Sequence, residues 1–267
     1  MGLRDRLRDQ LTDGDDRLPP GLTLLCAAIS ATLILPLAWL VIEAVTVDPA
    51  RAVDLTLSVR TAETIVNSLL LMVGVTALSI AIGVPLAYLT ARTDLPFRRF
   101  WAVAAALPLV VPSYVGAFSF VSAFGPRGEF HEILAPLGIE RVPEIYGLSG
   151  SILVITLYTY PYVYLTTRAA LLSFDTTLLE AARTLNHGRL SSFRRVTLPA
   201  IRPAIGAGSL LAALYAVSDF GTPSIMRLSV FTRQIYVEYR SFGSDYAALL
   251  SLQLLVVVLF VLALEWL

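Results

Sequence analysis

The chain contains no lysine. All 20 of its positive charges are arginines, spread over 267 residues, which excludes any chemistry that needs a lysine: a Walker phosphate loop, a pyridoxal Schiff base or a Ser-Lys dyad. ATP is therefore not bound here through such a loop. Cysteine is limited to Cys26, so neither an internal disulfide framework nor a cysteine-based metal site can be built. Histidine is limited to His131 and His187. No residue set calls for a cofactor. Charge itself is scarce, at 15% of residues against 56% hydrophobic and a mean hydropathy of +0.73, where a soluble domain carries about a quarter charged residues. The apolar residues fall in long uncharged blocks, so this is a membrane protein.

Crossing about 30 Å of hydrocarbon takes about 20 mostly apolar residues in a helix. Six blocks meet that requirement: 22–42, 64–91, 100–124, 145–167, 203–226 and 246–266. Pro36, Pro85, Pro108, Pro112, Pro161 and Pro223 lie within or beside them; spanning helices tolerate proline where neighbours satisfy the freed carbonyls, so kinked, packed helices are expected. The first block lacks a small-residue cleavage site and is read as an uncleaved span, not a signal peptide. Arginine sets the orientation. Thirteen fall in the tail before the first span and in the second-to-third and fourth-to-fifth connections, and seven in the other connections. The thirteen-arginine side is read as cytoplasmic, with both termini on it. Because the chain stops at Leu267 with no basic tail, a continuation is expected, as in a cut piece or one half of a fused protein.

The longest cytoplasmic connection, Arg168 to Arg202, is patterned. Thr177 and Glu180 make a capping box. Leu178, Ala181, Ala182 and Leu185 recur at helical spacing as one apolar stripe, opposite Glu180. A turn at Asn186, His187 and Gly188 precedes a second short helix in which Leu190, Phe193, Val196 and Thr197 share a face, and Pro199 is expected to end it. Such a stripe either docks in a groove of a soluble partner or lies on lipid headgroups; the small Ala181 and Ala182 suit close approach to protein and bury little in lipid.

The run Glu180-Ala181-Ala182-Arg183-Thr184-Leu185, followed by Phe193, Val196, Leu198 and Pro199, resembles the EAA loop of ABC-importer permeases. The family usually has glycine where this chain has Asn186, the non-glycine residue best suited to a left-handed turn. The resemblance extends from about Thr64 onward: Thr90-Ala91-Arg92-Thr93-Asp94-Leu95-Pro96, Pro112-Ser113-Tyr114-Val115, Tyr158-Thr159-Tyr160-Pro161-Tyr162-Val163-Tyr164 and Ser218-Asp219-Phe220-Gly221-Thr222 look like the ferric-iron branch. Branches for thiamine, phosphonates and polyamines share much of this pattern. The resemblance implies a non-enzymatic subunit of a prokaryotic inner membrane, coupled to a homodimeric ABC ATPase through Glu180, Ala181, Ala182, Leu185, Asn186, Phe193, Leu198 and Pro199. It also implies an extracytoplasmic binding protein and a second permease half, fused or separate, all within membrane lipid and without nucleic acid. The expected architecture is all-α and polytopic. Residues 1–20 form a cytoplasmic tail and 21–267 a six-helix permease domain with its coupling loop at 168–202, the unit that a fused twelve-helix permease would carry as its N-terminal half.

Two other functions fit part of the pattern. An energy-independent channel or carrier would need no coupling loop. Gly147-Leu148-Ser149-Gly150 matches the G-x-S-G of rhomboid intramembrane proteases, but that chemistry needs a histidine beside the serine, and neither His131 nor His187 is in a span. Asp219 is the one acid in the middle of an apolar block, and such charges mark a pore, a partner or a function. It is the candidate for the translocation path; its alternative is to cap a helix broken at Gly221 and Pro223. The tyrosines of the fourth block alternate around a helix, so all four cannot meet one metal ion, and packing or an interfacial belt accounts for them.

Overall fold

The computed structural model describes residues 20–125, 128–129, 145–174, 191, 193–241 and 244–265. All regular structure among these residues is helical. The chain falls into two compact units, one up to Thr46 and one from Val47. The first contains α1 (Pro20–Thr46), whose 27 residues extend about 40 Å at 1.5 Å each.

The second unit begins with a short helix, α2 (Pro49–Thr56), capped by the Asp48 carboxylate, which accepts from the amides of Ala50 and Arg51 at 3.0 and 3.1 Å. Ser58 then caps α3 (Val59–Arg92), its hydroxyl accepting from Thr61 N at 3.2 Å. That cap starts the helix five residues before the apolar block, so the second span stands well clear of the hydrocarbon at its Arg60 end.

The third apolar block is not one rod, contrary to expectation. It divides into α4 (Arg98–Ala104), a 3₁₀ turn (Leu107–Val110) and α5 (Ser113–Phe124), with the two arms bent by 91°. Pro108 and Pro112 lack the amide hydrogens a continuous helix requires. Val111, held extended at φ −86°, ψ 124°, shows the restriction a following proline imposes. Among the described residues five helices are therefore long and apolar enough to cross a membrane singly, and a sixth crossing exists if the bent pair counts as one.

Next come α6 (Gly147–Ser173), α7 (Leu198–Ser218), α8 (Gly221–Ile225), α9 (Phe231–Arg240) and α10 (Ser244–Glu265). Gly147 opens α6 at φ +79°, where a side chain would be strained, and its amide donates to Met226 O at 2.8 Å. The fifth span ends at Ser218 and not at residue 226, as the apolar block had suggested.

The core is α3, α6 and α7 in close approach. A Cβ on Gly83 of α3 would lie 2.9 Å from Tyr164 N, 3.0 Å from Tyr160 O and 3.0 Å from Val163 Cβ of α6. From the other side, a Cβ on Gly208 of α7 would lie 2.7 Å from Val163 Cα. Val163, fully buried, is thus gripped between two glycines, the small-residue contact by which helices associate where lipid supplies no hydrophobic drive. Hydroxyl pairs add to it: Ser79 meets Thr159 at 3.2 Å, and Thr90 meets the Tyr164 hydroxyl at 3.1 Å.

At the Arg60 end a polar clasp joins α3 to α9 and α10. Arg60 contacts Glu238 at 2.7 Å and donates to Gln234 Oε1 at 3.1 Å, while the Thr61 and Tyr246 hydroxyls meet at 2.7 Å. The helices α2 and α9 were not expected; their charged sequences read as outer loops.

Candidate coupling and translocation sites

At the Arg92 end of the core, the C-termini of α3 and α6 meet the start of α7. The Arg92 guanidinium donates to Phe174 O at 3.1 Å and lies 5.5 Å from the Phe174 ring centre. Phe193 sits in a π-helical turn (Phe193–Thr197) leading directly into α7. Its ring stands edge-on to Tyr88 of α3, centroids 5.3 Å apart and planes at 81°. Leu198 packs on the cluster of Ala87, Ala91, Tyr164, Leu171 and Ile201. Pro199 does not end a helix, contrary to expectation. It lies in the first turn of α7, where its missing amide hydrogen removes no intrahelical bond and its fixed φ suits the helix. Glu180, Ala181, Ala182, Leu185 and Asn186, and with them the whole Leu178 stripe, lie outside the described residues. So do His131 and His187.

A displacement at Phe193 has a direct route inward. The π turn and α7 are continuous, and α7 bears through Gly208 on the backbone of α6. Packed helices at this spacing shift as units because their contact cannot compress.

Asp219 lies just past α7. Its Oδ1 accepts from Ser113 Oγ at 3.1 Å and from Gly221 N at 3.2 Å, and its Oδ2 accepts from Thr222 N at 3.3 Å. Its carbonyl accepts from the Thr232 hydroxyl at 2.8 Å. The partly exposed carboxylate therefore joins four elements: the end of α7, the starts of α5 and α8, and α9. The contact with Ser113 spans 106 positions and has no local signal in the sequence. The caps to Gly221 and Thr222 do have one, the Asp-x-Gly-Thr order.

The four tyrosines of α6 separate. Tyr160 and Tyr164 are buried in the cluster beside Leu171. Tyr158 packs on Ala117, Val154 and Met226, and the Tyr162 ring faces that of Tyr215 of α7 at 6.3 Å. Among the described residues no group of three His, Cys, Asp or Glu could hold a metal ion.

Residues 79–267 match the model of a family described as the binding-protein-dependent transport system inner membrane component. The chain belongs to that family. The match covers the last part of α3 and every element after it. Among curated proteins, the chain is 34% identical over 243 residues to the Fe(3+)-transport system permease protein FbpB 2 of Haemophilus influenzae, covering 90% of this chain and 44% of that one. It is 35% identical over 235 residues to a probable molybdenum ABC transporter permease of Haloferax volcanii, covering 85% and 82%. The chain thus spans less than half of the iron permease and most of the molybdenum one. Among solved structures, a bacterial ABC transporter involved in the import of the acidic polysaccharide alginate matches with a TM-score of 0.68 at 20% identity, over 98% of this chain and 97% of that one. At that identity the match shows a shared fold. Family and fold together place the chain in an inner membrane, as a helical component of a transport system.

Proposed function

We propose that the chain forms half of a translocation pathway for ferric iron, delivered by an extracytoplasmic binding protein and driven by a separate ABC ATPase dimer. The observation that carries the substrate is the identity to the iron permease, sustained over 90% of this chain. In this reading the element around Glu180, Ala181, Ala182, Leu185 and Asn186 seats in the ATPase, and Phe193, Leu198 and Pro199 pass its displacement to α7. The second permease half, fused or separate, completes the path.

Asp219 is the residue proposed to meet the passing ion. It receives three donors and, among the described residues, no cation, so its charge is oriented and is not neutralised there by an ion pair. A hard trivalent cation takes oxygen ligands of this kind. Asparagine at this site keeps one accepting oxygen for Ser113 and Gly221 but loses the acceptor facing Thr222 N. Asp219→Asn should therefore assemble normally while ferric uptake, measured at matched expression, falls. Wild-type uptake would remove Asp219 from the path.

A second substrate class has its own support, the 35% identity over 82% of the molybdenum relative. A tetrahedral oxyanion would be repelled by Asp219, so the same variant should raise molybdate transport, not lower it. Competition between ferric iron and molybdate in one uptake assay decides between them.

Coupling is tested separately. Ala182→Arg sets a charge in a desolvated groove, where an unpaired ion is penalised by several kcal/mol, and should detach the ATPase without unfolding the spans. Co-purification of the ATPase at wild-type yield would overturn the coupling role.

A further inference from the structure

The Arg92 end of α3 and the short helix α4 line an open cavity of about 400 Å³ to which Asp219 does not contribute. Its walls include Leu86, Leu89 and Thr90 of α3, Leu95 of the connecting turn, and Trp101 and Ala105 of the α4 segment. Those walls are mostly apolar and accept hydrocarbon. Trp101 and Ala105 stand three and seven positions after Arg98, so Arg98 shares their face of the helix, one turn closer to the arginine-rich end.

Arg98 and Arg99 are both exposed. Among the described residues the ion pairs are Arg51 with Asp245 and Arg60 with Glu238, so neither Arg98 nor Arg99 has an acidic partner there. Beside them Phe97 and Phe100 are 83% and 63% exposed, and Phe100 meets Trp101 edge-on at 5.2 Å. Two guanidiniums without acidic partners among the described residues, flanking aromatics and an apolar cavity beside one short element make an amphipathic receptor. Its positive part lies on the side that arginine bias assigns to the cytoplasm, where the leaflet is anionic.

We propose that this cavity binds an anionic phospholipid, its phosphate on Arg98 and Arg99 and an acyl chain against Leu86, Leu89 and Trp101. Guanidinium and phosphate pair through two parallel hydrogen bonds, which a zwitterionic headgroup offers without the net charge. An apolar protein partner on this face would gain nothing from two exposed arginines.

The test uses the assembled transporter in mild detergent, titrated with phosphatidylglycerol or phosphatidylcholine of matched chains and read by native mass spectrometry. Wild type should retain phosphatidylglycerol more than about tenfold better, and Arg98→Gln/Arg99→Gln should lose about fivefold for each arginine removed. Leu89→Trp, which narrows the cavity and leaves the charges in place, should lower retention of both lipids. Equal retention of the two lipids by wild type overturns the site, as does phosphatidylglycerol retention unchanged in the double arginine variant. Should that double variant fail to assemble, Leu89→Trp decides, and unchanged retention there overturns the site too. A second copy of the chain displacing lipid from this face would also overturn it.

Discussion

The first span and the fourth are built on opposite terms. The most apolar window of α1 has a mean hydropathy of 2.4 and no buried residue, while that of α6 has a mean of only 1.2 and is half buried. In a soluble protein the ranking would be reversed, because water drives the most apolar helix to the centre. In lipid the surroundings are as apolar as leucine, and association depends on close backbone approach and interhelical hydrogen bonds. So α1 is Leu-, Ile- and Ala-rich, with Leu33 and Leu35 exposed, whereas α6 carries Gly150, Ser151, Thr156, Thr159 and Thr167 among its buried positions. High hydropathy marks the helix that has no packing partner within its own unit; small and hydroxylic residues mark the helix packed at the centre of the other.

The comparison breaks most completely at Gly83. A side chain there would strike backbone atoms of α6 at 2.9 and 3.0 Å, and backbone cannot rotate aside as a side chain can. Gly83→Leu should destabilise the bundle by more than about 3 kcal/mol, seen as loss of the monodisperse peak in detergent chromatography. A Cβ on Gly21 of α1 would meet nothing within 4 Å, and Gly21→Leu should elute as wild type.

The same substitution in both helices sharpens the contrast. Leu171 of α6 is fully buried, and Leu33 of α1 is 70% exposed. Leu171→Ala leaves a cavity that packed neighbours fill only partly, and should cost about 2–5 kcal/mol. Leu33→Ala should cost less than about 0.5 kcal/mol, since no residue of its own unit packs around the side chain. Thermal melting of the two variants in one detergent measures the difference.

Much of this contrast is legible in the sequence. Four of the six apolar blocks form single helices, because twenty uncharged residues in lipid have no other way to satisfy their backbone, while the third and fifth are divided. The third block departs for a nameable reason. Pro108 and Pro112, four positions apart, read singly as tolerable kinks, but together with the extended Val111 they turn the chain by 91°. The fifth block overruns because hydropathy continues through Phe220 and Ile225, while Asp219 stops the helix by capping the next one. Charged helices such as α9 escape any hydropathy threshold, although Phe231, Gln234 and Ile235 recur at helical spacing on its inner side. Capping by Asp219 is legible from its neighbours, whereas its bond to Ser113 is a product of the fold alone.

A smaller effect is expected at the polar clasp. Arg60 is half exposed, with 52% of its side chain open, although its partner Glu238 is only 13% exposed. Exposed ion pairs contribute about 0.2–1 kcal/mol, and solvent on the arginine side places this one within that range. A double-mutant cycle of Arg60→Gln and Glu238→Gln, read by melting at low and high salt, should show a coupling that weakens as salt rises.

The finest test lies within the core itself, at the Ser79 and Thr159 hydroxyls, 3.2 Å apart and both fully buried. If hydrogen bonds alone held α3 to α6, their removal would be severe. Yet Thr159 also donates to Ile155 O of its own helix at 2.9 Å, so the hydroxyl has a partner even when Ser79 is gone. A cycle of Ser79→Ala and Thr159→Val should therefore give a coupling of about 0.6 kcal/mol, well below the cost of a side chain at Gly83. A coupling above about 1.7 kcal/mol would shift the weight of α6 packing from close approach to hydrogen bonding. Then the hydroxyls, and not the glycines, would be what sets the buried span apart from the more apolar first one.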